Sequence, residues 1–516
     1  MLTVDDYRFI CEKGIPFEQI EHQLSLFQRG FPYIQLVRPC TVGDGIRRLS
    51  SSEISDSIQA FDEAQRMGRA MKFVPASGAA TRMFKDLLAF WQRIRDYAPD
   101  RPILELDTSS AGPIHTFFAN LPEFAFYQDL QAVLARAGFD CQTLLATRRI
   151  KPILEYLLFP VGLDYAHLPK GLLPFHRYPD HIRTPIAEHI VEATVYTADQ
   201  YETATVHFTM SPDHLALARQ HVQQLPLPIV RMGKRLAVTF SPQRPSTDTI
   251  AVDLDNKPFR TSEGRLVFRP GGHGALLHNL NDLQGDLIFI KNIDNVLPDS
   301  RKAPTYTYKK ALGGLLVTIQ RQVFDYLEAL ASDRAPESSL HEMMYFASET
   351  LSVSFPEDFS HWPASQRKAW LFDRLDRPLR VCGMVPNTGE PGGGPFWVRH
   401  PDGRMSLQIV EAAQVDPAQP DQQAIFAAAT HFNPVDMVCG VRDFRRQPFD
   451  LFRFRDPGTG LITIKSYEGR ELKALEWPGL WNGGMAYWNT VFVEIPLETF
   501  APVKTILDLL RPEHRA

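Results

Sequence analysis

The sequence predicts an α/β protein with a mostly parallel central sheet and helices on both faces, and three observations predict it. Short runs at residues 73–74, 205–210, 236–240 and 287–291, the last mainly apolar, read as strands. Between them stand stretches with apolar residues at helical spacing, such as Met83, Phe84, Leu87, Leu88 and Trp91, or Leu276, Leu277 and Leu280. Two clusters of small residues, at 76–80 and 271–275, each separate a strand from a helix. Strands joined through helices pair in parallel, and open sheets of that kind bind ligands at the carboxyl ends of their strands.

Taken in order, residues 1–69 read as an N-terminal helical layer, from the spacing of Ile54, Ile58, Phe61 and Ala64. Residues 70–300 form the α/β core, interrupted by a helical insertion at 86–168 whose apolar positions include Leu144, Leu145, Ile153, Leu154, Leu157 and Leu158. After it comes KGLLPF from Lys170, then a helix start at Thr184 with Pro185 just inside it. Residues 301–380 return to helical character as a second insertion or lid, with Tyr306 to Lys310 solvated. Residues 381–516 begin with a Pro/Gly segment, its glycine run at 392–394 read as a linker, and add strands at 405–410, 451–454, 461–464 and 491–495.

The chain has 516 residues, 44% hydrophobic and 22% charged, enough for two to four domains. A net charge of −5 gives no basic field for nucleic acid. The N-terminus is acidic where a secretory leader is basic, and no apolar run approaches the ~18 residues of a membrane span, so no membrane is expected and the compartment is read as the cytoplasm. Five scattered cysteines without CxxC spacing suggest buried thiols rather than a disulfide framework or a zinc site.

The chemistry centres on the loop that follows the first core strand. Ser77, Gly78, Ala79 and Ala80 are small enough for an anion to reach their backbone N–H groups, and Thr81 and Arg82 open a helix, with Arg82 offering a planar charged fork for phosphate oxygens. Asp294 follows an apolar strand, beside the second glycine cluster. A small-residue loop, a carboxylate at a neighbouring strand end and nearby lysines are the parts of metal-assisted phosphoryl or nucleotidyl transfer, in which one carboxylate can anchor Mg2+ or Mn2+.

The order of ASGAATRM, KGLLPF, FTMSPDH, the Gln243 strand end, RPGGHGALL, FIKNIDNVL and TFAPVK resembles that of UDP-sugar pyrophosphorylases, above all the UDP-N-acetylhexosamine type. The whole chain, with its WNGGMAYWNT stretch, also resembles a bacterial domain family of unassigned function. The first resemblance implies a nucleotide-diphospho-sugar transferase-like fold. It implies joining of a nucleoside triphosphate, UTP favoured, to a sugar 1-phosphate, with pyrophosphate released by in-line attack on the α-phosphorus. Carried over, Ser77 to Thr81 and Arg82 hold the triphosphate, and Thr209, Ser211 and Gln243 lie near base or ribose. Gly271, Gly272, His273 and Gly274 meet the nucleotide, and Asp294 holds the metal. Lys504 contacts phosphates with help from Lys170, while Glu411 and Asn433 take the sugar.

The chain departs from the family pattern where Ser77 and Ala80 replace glycines and where His273 replaces an asparagine. Those departures keep a second reading open, a catalytically silent nucleotide-sugar binding or regulatory protein on the same fold. A third is a glycosyltransferase using an Asp-x-Asp metal pair, for which Asp253-Leu254-Asp255 is the match. Base, sugar and oligomeric state are open.

Overall fold

The computed structural model describes residues 2–78, 80–103, 112–225, 229, 233–332, 335–390 and 392–515. They group into two compact units that interleave along the chain: Met1–Phe73, Pro242–Ile290 and Thr307–Leu497 form the first, and Val74–Ser241, Lys291–Tyr306 and Glu498–Ala516 the second. The architecture is mixed α/β, with a large, mostly parallel sheet flanked by helices.

In the first unit the sheet runs in the order Thr41–Val42, Gly45–Arg47, Asn489–Glu494, Leu379–Pro386, His431–Gly440, Leu287–Lys291 and Ala70–Pro75. Leu379–Pro386 is parallel to Asn489–Glu494 and antiparallel to His431–Gly440, while Leu287 pairs with Ala70 in a parallel ladder. Side chains alternate between the two faces of a strand. On one face Phe289 meets Phe61 of helix Ser51–Arg66 edge-on, at 5.4 Å between ring centres. On the other, Ile288 and Ile290 join Leu276, Leu277 and Leu280 of helix Leu276–Leu283 in one apolar cluster. Each such side chain contributes ~1.5–3 kcal/mol when fully buried.

The long helix Ala303–Ala331 owes its place to a glycine pair. A Cβ on Gly313 would lie 2.6 Å from the Phe61 ring, and one on Gly314 only 1.6 Å from the Ser57 carbonyl oxygen. The stretch from Tyr306 to Lys310, expected to be solvated, is so only in part: Thr307 is exposed and Tyr306, Tyr308 and Lys310 are half-buried, but Lys309 is buried and ion-paired with buried Asp436. Ordinary lysine-rich appearance hides this, because a buried lysine is recognised only by its distant carboxylate.

Other boundaries differ from expectation for similar reasons. Residues 1–69 contain the helices Val4–Glu12, Phe17–Arg29 and Ser51–Arg66, but also short strands between Gln35 and Arg47. The glycine run read as a linker enters strand Gly393–Arg399, the middle of a three-stranded antiparallel sheet with Gln35–Pro39 and Met405–Glu411. The expected strand at 451–454 is a 3₁₀ turn capped by the Asp450 carboxylate.

In the second unit the end of strand Ala70–Pro75 is followed across the sheet by Thr203–Met210 and Arg235–Pro242. Helix Pro185–Tyr196 covers it through Ile186, Ile190 and Val191 against Val74, Val206 and Phe208. It begins as its sequence predicts, the Thr184 hydroxyl accepting from the Ala187 N–H at 3.3 Å. The described residues of 85–168 are mainly helical, and their apolar faces share one cluster with Val503, Ile506 and Leu509 near the C-terminus. No helix among the described residues is long and apolar enough to cross a membrane.

Candidate functional site

In the second unit the small-residue loop leaves the strand at Pro75 and is fixed at both ends by backbone hydrogen bonds. Ala76 N–H donates to the Thr209 carbonyl at 3.0 Å, and Ala80 N–H to the Leu168 carbonyl at 3.3 Å. Between them Gly78 is exposed, and a Cβ placed on it would meet nothing within 4 Å. Small side chains thus leave an open cradle rather than a packed turn. Thr81 and Arg82 are exposed, but they belong to a 3₁₀ turn, Ala80–Arg82, and the α-helix begins only at Lys85. The expected helix opening at Arg82 is displaced because Met83 and Phe84 N–H groups both turn back to the Ala80 carbonyl. Ala79 lies outside the described residues.

Beside this loop the chain brings two distant lysines onto one carboxylate oxygen. Lys170 Nζ donates to Asp294 Oδ2 at 2.9 Å, and Lys504 Nζ reaches the same oxygen at 3.5 Å. Lys170 also donates to the Val503 carbonyl at 2.7 Å, and its own N–H to the Gly78 carbonyl at 3.4 Å. Val503 N–H returns to the Asp294 carbonyl, and Ile506 N–H to the Met83 carbonyl. Burial pushes the Asp294 carboxyl up, and the two ammonium groups more than offset it, so the group is held below its ordinary range. Two cations to one anion leave the cluster with a positive charge in excess. Lys504, half exposed, is the one free to follow an incoming anion.

The scaffold beneath was not legible in the sequence. His189 of helix Pro185–Tyr196 bonds through Nε2 to the carbonyls of Asn292 and Ile293, at 3.1 and 3.2 Å, just before Asp294. Buried Glu192 pairs with buried Lys291 at 3.0 Å. Glu188, also buried, accepts from His176 and from the Tyr178 hydroxyl at 2.8 Å each, and pairs with Lys302; His176 in turn meets His514 at 3.0 Å. These bonds tie the chain on either side of Asp294, and the tail beyond Lys504, to one helix. Three acidic or imidazole side chains on a helix otherwise apolar, Glu188, His189 and Glu192, were the available signal. Gly171 allows the close seat of the Lys170 segment, since its Cβ would lie 3.2 Å from Ile186.

Thr209 is buried at the end of its strand, and Ser211 shares a 2.6 Å hydrogen bond with His214. The remaining expected residues belong to the first unit, where Gln243 follows its strand half-buried. Gly271, Gly272 and Gly274 are crowded by the chain itself. A Cβ would lie 2.5 Å from the Thr247 carbonyl oxygen at Gly271, 2.7 Å from the Glu476 carboxylate at Gly272, and 2.2 Å from the Pro478 carbonyl oxygen at Gly274. These glycines therefore serve close packing of the segment at 476–478. His273 accepts from Leu480 N–H at Nδ1, 3.0 Å, stacks on Trp481 at 4.1 Å between ring centres, and turns Nε2 toward Glu411 at 3.6 Å. Burial raises the Glu411 carboxyl, but its bonds to His273 and Trp481 win and hold it low. Asn433 is buried and accepts from Val435 N–H, which fixes a left-handed residue inside a strand.

Among the described residues no group of three or more His, Cys, Asp and Glu could hold a metal ion. Asp294 is a lone carboxylate whose ion pairs both fall on Oδ2. Magnesium takes one or two carboxylates and completes its shell with water and phosphate oxygens, so Asp294 Oδ1, the oxygen outside both ion pairs, is the one such an ion would use.

Fold and site together define an α/β protein with a lysine-flanked carboxylate at a strand end, beside an open small-residue loop. The chain belongs to the family described as Domain of unknown function (DUF4301), whose model matches residues 3–515. No curated protein matches the sequence. Among solved structures it is similar to the uridine diphosphate N-acetylglucosamine pyrophosphorylase from Trypanosoma brucei, with 12% identity, 92% of this chain and 72% of that chain covered, and a TM-score of 0.46. It is also similar to the UDP-glucose pyrophosphorylase from Leishmania major, with 11% identity, coverage of 100% and 80%, and a TM-score of 0.42.

Proposed function

We propose that this protein is a nucleotidyltransferase that joins a nucleoside triphosphate, UTP by preference, to a sugar 1-phosphate and releases pyrophosphate. The observation that supports it most is the meeting of Lys170, Asp294 and Lys504, separated by 124 and 210 residues from Asp294, in the motif order of the sugar pyrophosphorylases.

In this reading the exposed loop at Gly78 takes the triphosphate against its backbone, with Arg82 forking onto phosphate oxygens. A sugar-phosphate oxygen attacks the α-phosphorus in line; the bond to the departing pyrophosphate breaks as the new one forms, with no covalent enzyme intermediate. Lys504 swings from Asp294 to the charge that spreads over the transferring group, and Lys170, pinned by Val503, keeps the buried carboxylate ionised. Magnesium on Asp294, or manganese in its place, supplies neutralisation of phosphate charge when bound. Glu411, ionised beside His273, is a hydrogen-bond acceptor suited to sugar hydroxyls.

One observation favours a second reading. Ala80 is buried and spends its N–H on Leu168, so part of the cradle is closed, as in a protein that binds a nucleotide sugar without turning it over. The test is pyrophosphate release with magnesium across a panel of nucleoside triphosphates and sugar 1-phosphates, beside Asp294→Ala. Release that needs one pair and collapses in the variant supports the transferase. Thermal stabilisation by a nucleotide sugar without release supports the silent binder.

A further inference from the structure

Residues 498–515, which carry Lys504, fold around the 3₁₀ turns Leu497–Thr499, Ile506–Leu510 and Pro512–His514. Such turns are weak by themselves, so the place of Lys504 depends on what the segment is fastened to. Close to Lys504 the fastenings are main-chain bonds at 3.1 Å, from Val503 N–H to the Asp294 carbonyl and from Ile506 N–H to the Met83 carbonyl. Beyond it the bonds run on in one connected series. The buried Asp508 carboxylate accepts from the N–H groups of Lys504 and Thr505 at 2.8 and 2.7 Å. Asp508 N–H donates to the Thr505 carbonyl at 3.2 Å, Arg511 N–H to the Asp508 carbonyl at 3.0 Å, and His514 N–H to the Arg511 carbonyl at 3.0 Å. The Arg511 guanidinium also pairs with Asp508 Oδ1 at 2.8 Å.

The series ends in a buried side-chain anchor. His514 is 4% exposed, and its Nδ1 meets Nε2 of fully buried His176 at 3.0 Å, with the two ring planes 23° apart. His176 Nδ1 shares a 2.8 Å hydrogen bond with Glu188 Oε1. Burial raises the Glu188 carboxyl, but Lys302, His176 and Arg183 outweigh it and hold it low. An ionised carboxylate only accepts, so His176 Nδ1 carries a hydrogen, and one more hydrogen lies between the two rings. That second bond is lost when both rings are protonated. Burial, then His176 and Arg511, push His514 down to about 3, so the anchor is intact at neutral pH.

We propose that His514 is a positioning residue for Lys504, the imidazole pair fastening the segment to helix Pro185–Tyr196. Adjacent residues of that helix then hold both partners of the ion pair: Glu188 acts through His176 and His514 on the Lys504 side, and His189 bonds the carbonyls just before Asp294. In the nucleotidyl-transfer reading, on which this rests, the ammonium serves charge that develops in the transition state, so a loosened segment costs kcat rather than binding.

The test reads the Lys504 amine directly, by trace acetylation of the folded full chain with acetic anhydride and mass spectrometry of each lysine. In His514→Leu, Lys504 should react about fivefold faster than in wild type, the worth of one hydrogen bond, with Lys170 unchanged. His514→Asn, whose amide stands where Nδ1 stood, should return Lys504 to the wild-type rate. If His514→Leu does not fold, His514→Gln, whose amide falls at the other ring nitrogen and misses His176, carries the same test. In kinetics, His514→Leu should lower kcat for pyrophosphate release about fivefold and leave both KM values within about twofold. Acetylation needs no substrate, so a wild type that releases no pyrophosphate fails the transferase reading alone, and the anchor is then judged by Lys504 reactivity. Lys504 reactivity unchanged in His514→Leu and His514→Gln, or raised together with that of Lys170 as in a general loosening, overturns the proposal, and so does an unchanged kcat in an active protein.

Discussion

Removing the Lys170 ammonium, with Lys170→Met, should destabilise the protein far more than the matching change at Lys504. At an effective dielectric of about 20, unit charges at the 2.9 Å and 3.5 Å separations of these pairs attract by about 6 and about 5 kcal/mol before desolvation. Most of that gross attraction offsets the cost of burying Asp294. The environments then separate the two lysines: the Lys170 side chain is 13% exposed and that of Lys504 50%. Water screens Lys504, so Lys504→Met should cost under about 1 kcal/mol. Lys170→Met strands a buried carboxylate with one half-screened partner and should cost about 3 kcal/mol. Lys170→Met combined with Asp294→Asn should recover at least half of it, since removing both partners leaves no bare charge. Folded-state Asp294 lies below its unfolded value, so its contribution is present above pH ~4 and is lost as pH falls through the folded value. The gap between wild type and Lys170→Met should therefore close in acid. Denaturant unfolding of the four proteins at neutral and acid pH reads all of this. A Lys170→Met protein as stable as wild type, or a double variant no better than the single, would refute the argument.

The two glycine loops should respond oppositely to alanine. Gly78→Ala should unfold within about 0.5 kcal/mol of wild type yet bind nucleoside triphosphate about tenfold more weakly, because open space, not protein, lies beside it. Gly274→Ala, with a Cβ 2.2 Å from the Pro478 oxygen, should lose ~3 kcal/mol or more whether or not nucleotide is present, by thermal melting. His207 is buried against Thr239 and Ser241 and pushed down to about 4 by burial. Its neutral form is the folded one, so stability should fall as pH drops from about 6.5 toward 4, by up to ~3 kcal/mol, and His207→Gln should flatten that slope in pH-dependent unfolding. Glu411→Gln should change stability little, the pair with His273 being partly exposed, but raise KM for the sugar 1-phosphate while leaving that for the nucleotide unchanged.

Much of the fold was legible because it rests on local signals. The strand at 287–291 opens with an unbroken apolar run of Leu, Ile, Phe and Ile, and Thr184-Pro185 states a helix start in two letters. The misread segments share a different physics. Leu451 to Phe454 has strand composition, but Asp450 caps it into a 3₁₀ turn. Gly392 to Gly394 looks like a linker until a partner strand is supplied. Lys309 looks solvated until Asp436, far along the chain, is brought to it.

The candidate site divides the same way. Residue types and motif order marked the loop at Gly78, the carboxylate of Asp294 and the lysines 170 and 504. The glycines at 271, 272 and 274 were marked as well, and only the tertiary structure showed their near space taken by residues 476–478. It also decided that Asp294 faces two ammonium groups through a single oxygen, and that Glu188, His189 and Glu192 hold the surrounding chain. Sequence by itself determined those elements whose signals are local, because periodicity and turn chemistry act between neighbours. Which charges meet depends on desolvation and distance between residues hundreds of positions apart, and only the folded chain sets those.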